Sequence, residues 1–380
     1  MEKDKKILIV AGEASGDLHA SCLVEQIRKL NPRIKFFGLG GEKLQKQGVE
    51  LYCNIVELAV IGIVEVLKNL KKFHNIFKGL LKKVDEEKPD LAILVDYPGF
   101  NLRLAKELKK RNIPVIYYIS PQIWAWGQKR IKDIKKNITH MITVFDFEEK
   151  LYKENGVNAS FVGHPLTKSI KINLSKDEFM RKFGLDKDKL TLSLLPGSRD
   201  KEVKTLLPIM LGAAKLINRT LPHTQFIILR STTVKEEIFN TIIKKYGLET
   251  RLISNMAHEG LNASDFAIVA SGTATLETAI IGIPMAIVYK VSLLTWLFVK
   301  SVIKIPYIGL VNVVLQKNFI REFIQFDAKP KKIASYVCST LNSQAEITKI
   351  KKELSGVKTL LSQKDASFEA ALIVYKYLNF

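Results

Sequence analysis

The sequence predicts an α/β protein with two Rossmann-like, doubly wound halves, a cleft between them and helices at the C-terminal end. Three observations carry that expectation. Short apolar runs alternate with longer amphipathic segments, as in parallel strands joined by helical crossovers. The alternation pauses once, at 166–189, and then restarts. Several strands run straight into turns of Gly, Ser, Thr or Pro, which is where open parallel sheets hold ligands.

In the first half, the runs 7–11, 36–39, 91–95, 115–119, 141–144 and 161–162 are short and apolar, and read as strands. Between them, 18–30, 73–87, 102–111 and 129–136 place apolar residues at helical spacing. The stretch 166–189 is charged and polar, with Asn173, Ser175 and Gly184, and reads as the joint. Strands resume at 190–195, 225–229, 251–253, 266–270 and 285–288. Residues 331–380 are helical in pattern, including an apolar stripe at 368–378. The expected domains are 1–168 and 169–380, the second carrying the terminal helices.

Composition narrows the class. Of 380 residues, 47% are hydrophobic and 26% charged, which excludes a wholly disordered chain, a collagen-like repeat and a coiled coil. Lys and Arg number 59 against 38 Asp and Glu, a formal net charge of +21. The excess is spread: 29 basic against 20 acidic residues up to position 170, and 30 against 18 beyond it. A diffuse excess favours an anionic partner, whether nucleic acid, a phosphorylated substrate or an acidic lipid surface. No RNP, KH, zinc-finger or basic-zipper pattern supports nucleic acid. Cys22, Cys53 and Cys338 form no CxxC, so neither a disulfide framework nor a zinc site is expected, and a reducing cytosol is. The apolar run 7–11 is too short for a signal peptide. The longest greasy stretch, 280–315, is broken by Lys290, Lys300, Lys304, Pro284 and Pro306. An interfacial helix or exposed patch is expected there, not a span.

The strand-end motifs carry the chemistry. The first strand enters Gly12-Glu-Ala-Ser-Gly-Asp17. This is not GxGxxG, and Glu13 and Asp17 disfavour a diphosphate, so an uncharged or hydroxyl-bearing acceptor fits better; Asp17 otherwise caps the following helix. The strand 91–95 ends in Asp96-Tyr-Pro-Gly-Phe-Asn101. A carboxylate desolvated at a strand end accepts a proton from an attacking hydroxyl, or else bonds its own turn. Ser120-Pro-Gln-Ile-Trp-Ala-Trp126 offers Trp124 and Trp126 to a sugar or acyl chain, or to the core. The nearby Lys129, Arg130, Lys132, Lys135 and Lys136 face either anionic lipid or solvent.

In the second half, Pro196-Gly197-Ser198-Arg199 combines exposed backbone N–H groups with a guanidinium, a phosphate-binding pattern. Ala270-Ser271-Gly272-Thr273-Ala274-Thr275-Leu-Glu277 sets amides and hydroxyls for a diphosphate and a carboxylate one turn deeper for ribose hydroxyls. No P-loop is present. Asp186-Lys-Asp188 spells DxD but lies in the polar joint, far from either phosphate motif, and no metal role is assigned to it. His164, in Gly163-His-Pro165, serves either the joint or the substrate.

Taken together, these motifs resemble the lipid-A-disaccharide synthase family. The matching segments are GEASGD at 12–17, ELAVIGIVEVL at 57–67, DYPGFN at 96–101, SPQIWAW at 120–126, VGHPL at 162–166, LPGSR at 195–199, SGTATLE at 271–277 and LVNVVLQKNFIREFIQ at 310–325. The resemblance implies an inverting glycosyltransferase of the GT-B type, with no metal or other cofactor. It would join UDP-2,3-diacylglucosamine to 2,3-diacylglucosamine 1-phosphate, giving a β-1,6 disaccharide and UDP. By motif position, Asp96 is the general base and Glu13 its acceptor-side neighbour, with Gly12, Ser15, Gly16, Asp17, Trp124 and Trp126 on the acceptor and lipid side. Gly197, Ser198, Arg199, Ser271, Gly272, Thr273, Ala274, Thr275, Glu277 and Asn312 face the donor. Lys317-Asn318 departs from the family's small-residue–Gly–Arg pattern. A cytoplasmic protein, peripheral on the anionic inner membrane of a Gram-negative bacterium, follows from the resemblance, and a homodimer is compatible with it. The greasy segment 58–67 would hold acyl chains or dip into the bilayer. Other two-domain UDP-sugar enzymes are the nearest rivals.

Overall fold

Every strand among the described residues runs parallel to its neighbours, in one of two sheets. The computed structural model describes residues 4–55, 70–125, 127–293, 295–296 and 306–378. The first sheet contains β1 (Lys6–Ala11), β2 (Lys35–Gly40), β3 (Glu50–Asn54), β4 (Leu91–Val95), β5 (Val115–Tyr118), β6 (His140–Thr143) and β7 (Ala159–Phe161). The second contains β8 (Leu190–Leu195), β9 (Thr224–Arg230), β10 (Thr250–Ser254), β11 (Phe266–Ala270), β12 (Met285–Tyr289) and β13 (Glu322–Ile324). Ile7, Leu8, Ile9, Val10 and Ala11 are fully buried, as is all of β4. Helices cover both faces of such strands, so they read as unbroken apolar runs without alternation. Each fully buried Leu, Ile or Val in them contributes about 1.5–3 kcal/mol.

Strand order places the ligand loops. The first sheet runs β3-β2-β1-β4-β5-β6-β7 and the second β10-β9-β8-β11-β12-β13. In each, the winding direction reverses once: between β1 and β4, and between β8 and β11. Ligands of open α/β sheets sit outside the carboxyl ends of strands at such a reversal. Ala11 pairs with Val95, so the loops that begin at Gly12 and Asp96 leave the first sheet side by side. Val269 pairs with Leu195, so the loops after β8 and β11 do the same in the second.

The structure corrects three expectations. The first helix is Ala14–Leu30, not 18–30, so Ser15, Gly16 and Asp17 lie in its first turn. The edge strands β3 and β13 are short, each carry a Glu and are only partly buried, and were not expected from pattern. The units divide as Met1–Pro165 with Ser362–Phe380, and Leu166–Leu361, so the last helix leaves the second domain. That helix, Ala366–Tyr377, sets the buried small residues Ala366, Ala370 and Ala371 against Ala14–Leu30. Polar contacts fix it to the first sheet: Tyr377 Oη meets His140 Nδ1 at 3.1 Å, and Lys364 Nζ donates to the Phe161 carbonyl at 3.0 Å. Within 280–315 the structure describes β12 and a short helix, Leu310–Leu315, while residues 294 and 297–305, where an interfacial helix or exposed patch was expected, lie outside the described residues. Among the described residues no helix is long and apolar enough to cross a membrane. The segment 57–67, and with it the greasy run 58–67, and Trp126 lie outside the described residues.

Candidate functional site

In the first unit the site is built around a strained turn. Asp96 and Tyr97, consecutive and not glycine, have φ of 48° and 50°, a left-handed conformation costing about 1–3 kcal/mol per residue. Four hydrogen bonds hold it. Asp96 N donates to Tyr118 O at 3.0 Å. The Asp96 carbonyl accepts from Asn101 Nδ2 at 2.8 Å and from Tyr117 Oη at 2.5 Å. Asn101 Nδ2 also donates to Val95 O at 3.1 Å. Pro98 then opens the helix Pro98–Lys110, where its fixed φ suits the first turn. Gly12 is required because a Cβ there would fall 2.2 Å from the Tyr97 ring.

Burial, and secondarily the Glu13 carboxylate, raise the Asp96 carboxyl from 3.8 to about 6. Glu13 is exposed at the helix N-cap position, and its side chain makes no capping bond. Two carboxylates thus meet at the switch point, one of them poised near neutrality as a general base requires. Asp17 does something else. Its oxygens accept from the backbone N–H groups of Gly41 at 2.7 Å, Lys43 at 3.0 Å and Leu44 at 3.3 Å. It is 3% exposed and caps the helix Glu42–Lys46, so it is a structural residue, not one facing an acceptor.

Trp124 is also committed. Its Nε1 donates to Glu148 Oε1 at 2.9 Å, Ser120 Oγ donates to Glu148 Oε2 at 2.8 Å, and its ring meets Phe147 edge-on. Glu148 is fully buried, and burial lifts its carboxyl to about 7 against the bonds from Trp124 and Ser120. Nothing in the sequence separated Glu148 from its solvated neighbours in the helix Asp146–Glu154. His164 is buried against Phe145, and desolvation holds its imidazole near 3 and that of His19 near 4. Burial thus favours the neutral form of both, and His164 is packed within this unit.

In the second unit the loop after β8 is already occupied. Gly197 has φ of 110°, and a Cβ there would strike Glu202. Glu202 Oε2 accepts from Ser198 N at 3.2 Å and Oε1 from Arg199 Nη1 at 3.3 Å. An internal carboxylate therefore sits on the donors that the sequence assigned to phosphate. Arg199 is otherwise open, its side chain 77% exposed.

The loop after β11 leads into the helix Ala274–Ile281. Ser271 is tied down through its N–H to Val288 O at 3.0 Å and through Oγ to Ile308 O at 3.3 Å. Thr275 is buried and turns its hydroxyl back to Gly272 O at 2.8 Å, so it caps its own turn instead of facing a ligand. The N–H groups of Gly272, Thr273 and Ala274 belong to the helix start, where no intrahelical acceptor exists. Gly272 has open space where a side chain would be. Glu277 follows one turn in and lies 3.9 Å from His258 Nε2.

Asn312 is fully buried and has every bond it can make inside the protein. Its Nδ2 donates to Ile320 O at 2.7 Å and Glu322 Oε1 at 2.8 Å, and its Oδ1 accepts from Phe319 N at 3.2 Å and Ile320 N at 2.9 Å. Glu322 in turn accepts from Ile308 N and Gly309 N, both at 2.9 Å. Asn312 therefore does not face the donor directly. With Glu322 it holds the turn whose carbonyl binds Ser271. Lys317, at the departure from the family pattern, pairs with Glu353 at 2.6 Å. Asp186 accepts from Asp188 N at 2.9 Å, making the DxD triplet a local turn. Among the described residues no group of three His, Cys, Asp or Glu could hold a metal ion.

Two parallel α/β units with loops grouped at both switch points define the GT-B class. Solved structures share this fold. S. aureus MnaA with UDP matches with a TM-score of 0.70 and 11% identity, over 99% of this chain and 97% of that one. UDP-GlcNAc 2-epimerase from Neisseria meningitidis bound to UDP-GlcNAc gives 0.68 and 10%, over 98% and 100%. A glycosyltransferase from Rickettsia africae gives 0.60 and 11%, over 100% and 99%. At these identities the likeness is one of fold. The family model LpxB, described as lipid-A-disaccharide synthetase, matches residues 7–374. The lipid-A-disaccharide synthase of Syntrophus aciditrophicus is 42% identical over 97% of both chains. That of Coxiella burnetii (strain Dugway) is 39% identical over 99% of both. The chain belongs to the lipid-A-disaccharide synthase family, and it is a glycosyltransferase of lipid A disaccharide synthesis.

Proposed function

We propose that the chain transfers 2,3-diacylglucosamine from its UDP derivative to the 6-hydroxyl of 2,3-diacylglucosamine 1-phosphate, with inversion. The observation that carries the mechanism is Asp96, a carboxyl raised to about 6 by burial and by Glu13 on a strained, hydrogen-bonded turn. The acceptor hydroxyl gives its proton to the Asp96 carboxylate as its oxygen bonds the anomeric carbon. The bond from that carbon to the diphosphate breaks, and UDP leaves with the electron pair. The donor diphosphate is held by Arg199 and by the N–H groups of Gly272, Thr273 and Ala274, and the ribose hydroxyls by Glu277. Glu13 holds the acceptor and keeps Asp96 basic. The net charge of +21 supports work at an anionic membrane surface, on the cytoplasmic side where UDP-sugars are made.

The test is one incubation of the purified protein with both lipids, read by mass spectrometry. The expected product is the tetra-acylated disaccharide 1-phosphate, formed together with UDP. Turnover of unacylated UDP-GlcNAc without the lipid acceptor, and no disaccharide from the acylated pair, would overturn the reading in favour of a soluble UDP-sugar enzyme.

A further inference from the structure

His258 stands beside Glu277, the proposed ribose ligand, on a different element, and no motif of the sequence pointed to it. It opens the short helix Ala257–Asn262, which follows β10 through Asn255 at φ 61°. Its Nε2 lies 3.9 Å from Glu277 Oε1, and the ring also bonds the backbone carbonyl of Lys171. The next residue, Glu259, is buried and accepts from Asn173 N at 3.3 Å. Two successive side chains of this helix therefore hold the segment 171–173, and one of them reaches across to Glu277.

We propose that His258 is a positioning residue that aims the Glu277 carboxylate at the ribose hydroxyls, and so sets the preference for ribonucleotide over 2′-deoxyribonucleotide donors. The inference rests on the reading of Glu277 as the ribose ligand. Three physical points support it. First, the helix Ala274–Ile281 carries no basic residue, so on its own element only the N-terminal amides, which the diphosphate would take, offset the charge of Glu277. A bare carboxylate one turn from a diphosphate seat repels the ligand it is meant to orient. Second, Glu277 raises the pKa of the imidazole above its usual 6.5, so the pairing favours the charged ring, which offsets that repulsion. Third, a ring bonded on its other side to a backbone carbonyl has one orientation, and a carboxylate paired to it has one preferred rotamer. A preset carboxylate binds two hydroxyls without first losing side-chain freedom.

The test is calorimetric binding of UDP and 2′-deoxy-UDP to the whole protein and to its His258→Ala, His258→Gln and Glu277→Ala variants. A hydrogen bond to a charged group predicts a wild-type preference for UDP of roughly 10–100-fold. His258→Ala is expected to weaken UDP more than 2′-deoxy-UDP, which flattens the preference. His258→Gln, which keeps an N–H donor, restores part of it. A merely structural His258 weakens both nucleotides alike and leaves the ratio intact, and that result overturns the inference. If Glu277→Ala flattens the ratio and His258→Ala does not, the inference alone fails. If the wild-type protein shows no preference, the reading of Glu277 fails and takes the inference with it.

Discussion

Asp96→Asn is expected to make the protein more stable and nearly inactive. The carboxyl is raised from 3.8 to about 6, first by burial and then by Glu13. As pH falls, the folded protein therefore takes up this proton before the unfolded chain does. The ionised form costs stability, and the cost grows as pH rises from about 4 to about 6. The full rise corresponds to roughly 3 kcal/mol, and partial solvent access at the strand end reduces this to about 1–2 kcal/mol. Asn is nearly isosteric and never ionises, so near neutral pH the variant regains this amount. At about 2–4 °C per kcal/mol, its melting temperature rises by roughly 2–8 °C. The same change removes the base, and single-turnover transfer slows by roughly 10²–10⁴. UDP affinity stays as it was, since the nucleotide loops belong to the second unit. The wild-type rate should climb with pH through about 6 as Asp96 loses its proton, and the variant should show no such limb. Melting temperature, UDP affinity and single-turnover rate on one preparation check all of this. A near-normal rate with a lowered melting temperature would end the base assignment.

Glu13→Gln removes the second cause of the Asp96 rise, so the acid limb of the pH–rate profile moves to lower pH; an unmoved limb breaks the pairing. Arg199→Ala is expected to slow transfer by roughly 10²–10³ with no loss of melting temperature, because that side chain is 77% exposed; wild-type turnover would remove it from the donor site. Asn312→Ala leaves the N–H and carbonyl of buried Ile320 unpaired and should cost about 2–4 kcal/mol of stability in chemical denaturation, with a weakened donor site as its consequence. Activity should survive excess EDTA, since the diphosphate charge has Arg199 and helix-start amides to meet it; loss on chelation, restored by magnesium, would reopen a metal role.

The strands were legible because both faces of a parallel sheet are covered. Residues 7–11 and 91–95 are apolar without interruption, and a helix of that length would show a polar face. The edge strand β3, with Glu50 and Asn54 in it, has one edge and much of one face in solvent, so its pattern carries little signal. The last helix misled for another reason. Sequence adjacency put Ala366–Tyr377 with the second domain, whereas its partners are His140, Asn158 and Phe161, more than 200 positions earlier. A stripe of Ala and Val states that a face is buried but not against what. At the site, the glycine turns and Asp96 were visible because strand ends impose a chemistry on the residues that follow. Glu148, Glu322 and His258 were not visible, because each acts through a partner distant in sequence.

The strand-end loops of the two units differ in how their polar groups are satisfied, and under the proposed mechanism the difference bears on catalysis. In the second unit, Glu202 already takes the Ser198 N–H and the Arg199 guanidinium. If Arg199 holds the donor as proposed, the diphosphate exchanges with that carboxylate, and the ground-state gain is the difference between two charge-assisted contacts. As the bond to the anomeric carbon stretches, negative charge grows on the diphosphate and not on Glu202. The exchange then favours the departing UDP more than it favoured the bound donor, which is the condition for lowering a barrier and not merely filling a site. In the first unit the internal contact of the Asp96 carboxylate is with a backbone N–H, that of Tyr97, and not with a charged group. Glu13 makes no capping bond, and Asp96 is held through its backbone by Asn101, Tyr117 and Tyr118. Its carboxylate is thereby placed without being neutralised. Strain in the backbone and burial of a charge both lower the stability of this turn, and the fully buried β1 and β4 on either side supply the apolar burial that offsets them.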